Sequence, residues 1–396
     1  MHVRSAQSGA SHAVTAMLEI AAGLGLPERP RPDFVAMCFG VGLCADSLQA
    51  AARDMIGTDA LHGGSSCLGV IGRDGIELGG AGLGVLAIWD RAGSYGTASA
   101  SLGPDAGAAA RAAALAALER AGRPGEMPEM VWLTVAPGRE EQVIEGLRPV
   151  VGHETLIVGG SSGDNDLSGG WRQFGPDQVH GDGVVVSVLF PSRAVASVCQ
   201  SGYAPTAASG RVTRAESRRL FEIDGRQAAE VLHEWSGGAI PLAGEDARVI
   251  LAEAAFWPLG LETRRLAGIP FHLLIHPAVV HPDGSVDLFA DVAVGDWLWQ
   301  MQGSANSLVA RAGRVAGQAR DMVDGPVAGA LVIHCGACML AIRDRMDEVR
   351  AGILEALGDM PWIAVFSFGE QGRPVADRPR HGNLMISCTA FGASDD

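Results

Sequence analysis

The stretch that most constrains this chain is Thr155 to Asp166, TLIVGGSSGDND. Thr155 to Val158 reads as a short buried strand, since four apolar or β-branched residues in a row suit a strand covered on both faces. Gly159, Gly160, Ser161, Ser162, Gly163 and Asp164 follow and read as a Gly-rich turn. Glycine lets a ligand approach the backbone closely, and successive amides in such a turn form a nest for an anionic group. A tight strand exit with solvated serines uses the same residues. A second copy favours the site: Leu61-His62-Gly63-Gly64-Ser65-Ser66 also follows an apolar strand and a helix-like segment. Two such units predict a duplicated α/β half with both turns at one end of a sheet, the rim where open α/β sheets bind ligands.

Length and composition narrow the function classes. A chain of 396 residues, 47% hydrophobic, has room for two domains with real cores. Its longest apolar runs are far too short to span a bilayer, and Ala10–Leu26, interrupted by Glu19, reads as an amphipathic helix and not a signal peptide. The formal charge is −15 and every basic residue is arginine. Without lysine, Schiff-base chemistry, a Walker-type phosphate lysine and a Ser–Lys dyad are all excluded. The acidic balance argues against nucleic acid as a partner. Seven scattered cysteines and no leader fit a reducing cytoplasm better than a disulfide scaffold.

Along the chain the pattern is α/β throughout: mixed sheets with flanking helices, in two similar-sized modules, 1–203 and 204–396. Helices are expected at 11–26, 46–56, 106–121, 140–147, 227–235, 304–323 and 339–357. Strands are expected at 33–39, 130–135, 155–158, 247–256, 269–276, 286–292, 328–334, 362–368 and 383–391. Residues 76–89 read as a hairpin, as do 184–190 with 194–199 around Pro191.

Three constellations could carry chemistry. Cys335-Gly336-Ala337-Cys338 lies where a buried strand hands over to a helix, a position that favours thiolate. Inert buried thiols, a zinc half-site, a redox pair and a nucleophilic or ligand-contacting Cys335 all remain open. Glu370 and His381 fall at loop–strand junctions of the same module, so Cys335, His381 and Glu370 outline a nucleophilic triad. Glycine-flanked polar residues at strand ends, Asn383 among them, equally suit a binding pocket. His272, His276 and His281 form a third group; strand-end histidines explain them better than a metal site, and with no Cys-x-x-Cys-His any haem would be non-covalent.

In order and spacing these features resemble the FIST family, with an N-terminal FIST domain and a C-terminal FIST-C domain. The resemblance rests on Asp33-Phe-Val-Ala, the turns at 63–67 and 159–164, Gln173-Phe174, Phe221-Glu-Ile-Asp-Gly225, the strand before Cys335, Gly369-Glu370 and His381-Gly-Asn383. It implies an intracellular sensory module for small ligands, some members binding haem and sensing nitric oxide. The family's usual arginine after Cys-Gly is missing here, where Cys335-Gly336 continues into Ala337-Cys338.

The expectation is a cytoplasmic, stand-alone receptor for a small polar or anionic molecule, signalling through a partner protein in trans, with homo-oligomerisation open and no membrane or metal. Its site would comprise Gly63, Gly64, Ser65, Ser66, Gly159 to Asp164, Gln173 and Asn383. A Cys335-dependent hydrolase or acyl transferase, and a haem-based gas sensor using one of His272, His276, His281 or His381, are the competing readings.

Overall fold

The computed structural model describes residues 1–374 and 378–394. It is α/β with mixed sheets, and the repeat announced by the two Gly-Gly-Ser-Ser copies extends to a third unit. The first unit runs strand His2–Ser8, helix Ala13–Leu24, strand Phe34–Gly40, helix Ala45–Met55, strand Leu61–Ser66, hairpin Val70–Gly72 with Ile76–Glu77, and strand Leu83–Trp89. The second repeats that order from Ser94–Ser101 to Gly183–Phe190, with Met130–Val135 and Leu156–Ser161 at its centre. The third begins at Val195–Gln200, resumes at helix Ala305–Asp321, and ends with Ile386–Gly392. Its central strands are Val327–Cys335 and Trp362–Ser367.

In each unit the two central strands are parallel: Phe34–Gly40 beside Leu61–Ser66, Met130–Val135 beside Leu156–Ser161, and Val327–Cys335 beside Trp362–Ser367. Antiparallel strands flank each pair. The hairpins are exchanged cyclically. That of the first unit extends the third sheet, that of the second extends the first, and that of the third extends the second. The third sheet therefore draws on both halves of the chain, Val195–Gln200 pairing with Ile386–Gly392.

Alternation along the central strands explains why they read as unbroken apolar runs. Phe34 and Ala36, Met130 and Trp132, and Leu331 and Ile333 point inward to a shared core between the three sheets. Their neighbours Val35 and Met37, Val131 and Leu133, and Ala330 and Val332 point outward to the helix pair of their own unit. Strands buried on both faces need no polar alternation.

The third unit is interrupted between its first strand and first helix. Residues 204–302 form an insertion with its own sheet, from Ala204–Glu216 to Trp297–Gln302, and its own core. Several expected elements change here and elsewhere. Residues 247–256 split into strand Arg248–Val249 and helix Leu251–Ala254. Ile76–Glu77 pairs with Val70–Gly72 and not with Leu83–Trp89, because the chain is redirected at Gly80, whose φ is +90°. Gly183–Phe190 and Val195–Gln200 belong to different sheets.

Candidate functional site

The two Gly-Gly-Ser-Ser segments are strand ends and not turns: Leu61–Ser66 and Leu156–Ser161 stay in their sheets through the glycines. None of Gly63, Gly64, Gly159, Gly160 or Gly163 has positive φ. What approaches these backbones is the protein itself. A Cβ on Gly159 would lie 1.9 Å from the Leu133 carbonyl oxygen, one on Gly160 2.7 Å from the Ser367 side chain, and one on Gly64 2.7 Å from Thr134. Ser65 Oγ donates to the Gly163 carbonyl and accepts from Arg172 N, at 2.8 and 2.9 Å. Ser66 Oγ accepts from Phe366 N at 2.8 Å, and Ser161 Oγ donates to Glu140 Oε1 at 2.7 Å. The Ser65 and Ser66 hydroxyls join neighbouring units, and Ser161 does so by also accepting from Gln371 Nε2 at 3.2 Å. Between them Ser65, Ser161, Ser162 and Ser367 enclose a cavity of about 20 Å³, where Ser162 Oγ is buried without a partner. Such a volume suits one or two waters.

The anion expected for the amide nest is supplied by the chain. Asp164 is fully buried, and its carboxylate accepts from Leu167 N at 2.7 Å and from Gly169 N and Gly170 N at 2.8 Å each. These bonds shape the 164–170 loop, whose residues Asp164 to Leu167 form one wall of a ligand-sized cavity.

That cavity, about 470 Å³, opens between the strand ends of the repeat and the insertion. From the repeat come Cys67, Asp164, Cys335, Ala337, Ser367, Phe368 and Asn383; from the insertion come Leu251, Phe256, His276 and Phe289. Asp164, Cys335 and Asn383 thus meet in one cavity. Apolar walls dominate, and no arginine lines it among the described residues. Asn383 Oδ1 accepts from His276 N at 3.2 Å, while its buried Nδ2 donor has no partner. His276 Nε2 bonds the Leu251 carbonyl at 3.1 Å, so that nitrogen carries the proton and Nδ1 is left as an acceptor. Burial lowers the His276 pKa to about 4 and keeps the ring neutral. Gln173 lies elsewhere, in the hairpin paired with Leu61–Ser66, its amide buried and unpartnered.

Cys335, Glu370 and His381 share this region, but no hydrogen bond links any two of them among the described residues. His381 engages Phe289 O through Nε2 and Gln371 through Nδ1, at 3.1 and 3.3 Å. Glu370 accepts from Ser367 Oγ at 2.7 Å and Met385 N at 2.9 Å, and burial raises its pKa to about 8. Burial also pushes the Cys335 thiol well above its ordinary range. The depressed thiol is Cys338. Burial alone would raise it, but the Cys335 S–H donating to its sulfur and the nearby Arg311 guanidinium bring it to about 6.

No group of three or more His, Cys, Asp or Glu side chains is placed to hold a metal ion among the described residues. An axial haem ligand needs an open ring nitrogen. Nε2 is committed in His276, in His281 to Asp287 at 2.7 Å, and in His381; in His272 it is buried without a partner. Among the four, Nε2 is thus taken by protein groups in His276, His281 and His381, while His272 borders a separate cavity of about 420 Å³.

Sequence reasoning missed Arg311 and Tyr203, which flank Cys338, and the insertion residues that roof the cavity. His276 stood out in the sequence as a strand-end histidine; Arg311 gave no signal, because it looks like any helix arginine until Leu384 and Tyr203 arrive from afar. The fold and cavity define a three-unit α/β protein whose inserted β domain closes a ligand-sized space. No helix is long and apolar enough to cross a membrane among the described residues. The chain belongs to the FIST family: the FIST N domain model matches residues 35–226 and the FIST C domain model residues 228–373. FIST domains are known as small-ligand sensory domains. No curated protein matches the chain. Among solved structures, it is similar over 99% of both chains to a crystal structure of cyanuric acid hydrolase from A. caulinodans, at 10% identity and a TM-score of 0.35.

Proposed function

We propose that this protein is a small-molecule receptor whose ligand occupies the cavity between the repeat and the insertion. The observation that carries this reading is Asn383: a buried amide donor with no partner among the described residues, on the wall of a 470 Å³ space. Leaving such a group unsatisfied costs about 1–3 kcal/mol, which a ligand acceptor recovers. The ligand class follows from the walls. Phe256, Phe289, Leu251 and Phe368 favour an apolar body, Asn383 Nδ2 an acceptor oxygen, and His276 Nδ1 a neighbouring donor. With no arginine lining the cavity among the described residues, and with Asp164 and Asp166 in its wall, a neutral amide or carbonyl compound fits better than an anion. Binding draws the insertion against the repeat, a closure that alters its outer face for a partner protein in trans. Seven unpaired cysteines suit action in a reducing cytoplasm.

The test is a thermal-shift and native mass-spectrometry screen of small neutral carbonyl compounds. Asn383→Asp keeps the acceptor for His276 N but removes the donor, and affinity should fall roughly 10- to 100-fold. Ala341→Trp fills the space from another wall and should abolish binding. A compound bound equally by the parent and both variants would place the site elsewhere.

A further inference from the structure

Arg311 is a buried cation with no carboxylate in a salt bridge or hydrogen bond to it among the described residues. It is 2% exposed, and its Nη1 donates to the Leu384 carbonyl at 2.9 Å. Its Nε and Nη2 have no aligned hydrogen-bond acceptor among the described residues. Guanidinium stays protonated inside proteins, and an uncompensated buried charge is strongly unfavourable. The groups around it that could carry the balancing charge are Cys338, Cys335, Cys199, Tyr203 and Glu370, and burial pushes the Cys199 thiol up to about 12, which keeps it protonated. The Tyr203 hydroxyl donates to the Ala255 carbonyl at 2.7 Å and is therefore protonated. Glu370 holds its proton at neutral pH through burial, and Cys335 uses its S–H to reach the second sulfur. Cys338 is the group left to bear the charge. Its sulfur lies 3.4 Å from the Tyr203 oxygen, and Arg311 acts on it as an opposite charge, without the alignment of a hydrogen bond.

We infer that Cys335 and Cys338 form a redox-active dithiol that a small hydroperoxide, entering through the ligand-sized cavity, converts to a disulfide. Cys335 lines that cavity, whereas Cys338 is wholly enclosed behind it. The pair holds one proton between two sulfurs. When that proton passes to Cys338, the Cys335 thiolate attacks the distal peroxide oxygen; the O–O bond breaks, and the leaving alkoxide takes a proton from water to depart as an alcohol. Cys338 then gives up the shared proton, its sulfur attacks the Cys335 sulfenic acid, and the S–O bond breaks as the S–S bond forms. The departing hydroxide takes up that proton and leaves as water. The dithiol has lost two electrons and one proton; the peroxide has gained two electrons and two protons, the second drawn from solvent. The sulfurs, three positions apart in sequence and both buried, must close to about 2 Å. Oxidation removes the anion beside Arg311, so the oxidised protein should melt several degrees lower. The inference rests on Cys335, Cys338 and Arg311 and holds whatever ligand the cavity takes.

The experiment uses the full-length reduced protein, treated with hydrogen peroxide, denatured in iodoacetamide and digested with trypsin. Residues 321–343 form one tryptic peptide that contains both cysteines and no other. That peptide should lose two hydrogens and take up no label. Arg311→Met should slow the change roughly tenfold, with Arg311→Lys restoring part of the rate. The exposed Cys44 serves as internal control. A peptide still carrying two carbamidomethyl groups after Cys44 is oxidised overturns the inference, and that readout needs no variant to fold.

Discussion

Glu140, in the second unit, and Arg218, in the insertion, are joined at 2.7 Å with the carboxylate 1% exposed. Arg218 also reaches Glu141 at 2.5 Å and Asp291 at 3.3 Å, and is itself mostly buried. This cluster fastens the insertion to the repeat beside the ligand-sized cavity. Truncating one partner of a buried pair leaves the other uncompensated, so Arg218→Met should destabilise by about 3 kcal/mol. Adding Glu140→Gln should return part of that loss. A double-mutant cycle in urea checks this; additive single effects would mean the pair is not coupled.

Acid sensitivity follows from buried neutral histidines. Burial holds His62, His276 and His334 near pKa values of about 3, 4 and 3, against 6.5 in the unfolded chain. A depressed folded pKa gives stability that is present above 6.5 and lost as pH falls, because the unfolded state takes up protons the folded state refuses. Glu140 adds to the loss below pH 4.5. Burial alone would raise it, but the charges of His381 and Arg218 lower it to about 2. Glu370 works the other way: at about 8 its pKa is raised, so its contribution is complete below pH 4.5 and lost as pH rises. Cys338, lowered to about 6, offsets Glu370 between pH 6.5 and 8. Urea midpoints should therefore be level from pH 6.5 to 8 and fall steeply below 6.5, about 1.4 kcal/mol per proton and pH unit. A level profile down to pH 5 would contradict the neutral histidines.

The class of fold was readable because its signals are local. Ser304 caps helix Ala305–Asp321 in a reciprocal box with Ser307, and Asp105 caps Ala106–Arg120, as side chains that compete with the backbone should. The paired Gly-Gly-Ser-Ser segments showed that something repeats. The third unit stayed hidden because the positions matching Gly159 to Ser162 are Ala364, Val365, Phe366 and Ser367, which keep only the last serine. An insertion of residues 204–302 also separates its first strand from the strand it pairs with. The cavity was legible on one side only. Asn383 and Cys335 sit at strand ends, where sheet logic looks for ligands, but Leu251, Phe256 and Phe289 are apolar residues whose role appears only when the insertion folds over.

Two serines in matching seats should respond differently. Ser66 Oγ accepts from Phe366 N and donates to the Gly69 carbonyl, tying the first unit to the third. Ser66→Ala leaves both buried groups unpaired and should cost about 1–3 kcal/mol. Ser162 Oγ has no protein partner, so Ser162→Ala should stay within about 0.5 kcal/mol of the parent. Equal losses, measured by thermal unfolding, would reveal ordered water bonded to Ser162 in the small cavity it shares with Ser65, Ser161 and Ser367.

Gly159→Ala decides what the glycine pairs are for. If they admit a ligand, one methyl group weakens binding and leaves the fold intact. The added Cβ would instead sit 1.9 Å from the Leu133 carbonyl oxygen, in the neighbouring central strand. Backbone there is paired in the ladder between two buried central strands and has no room to retreat, so overpacking should cost upward of about 3 kcal/mol. The third unit carries alanine at the matching position, Ala364, fully buried, which shows that a methyl is tolerable only where the neighbouring strand is set to receive it. Expected, then, is a large drop in the urea midpoint of Gly159→Ala, with little soluble protein at 37 °C. A variant as stable as the parent would show that the central strands can part, and that the glycines serve something other than close packing.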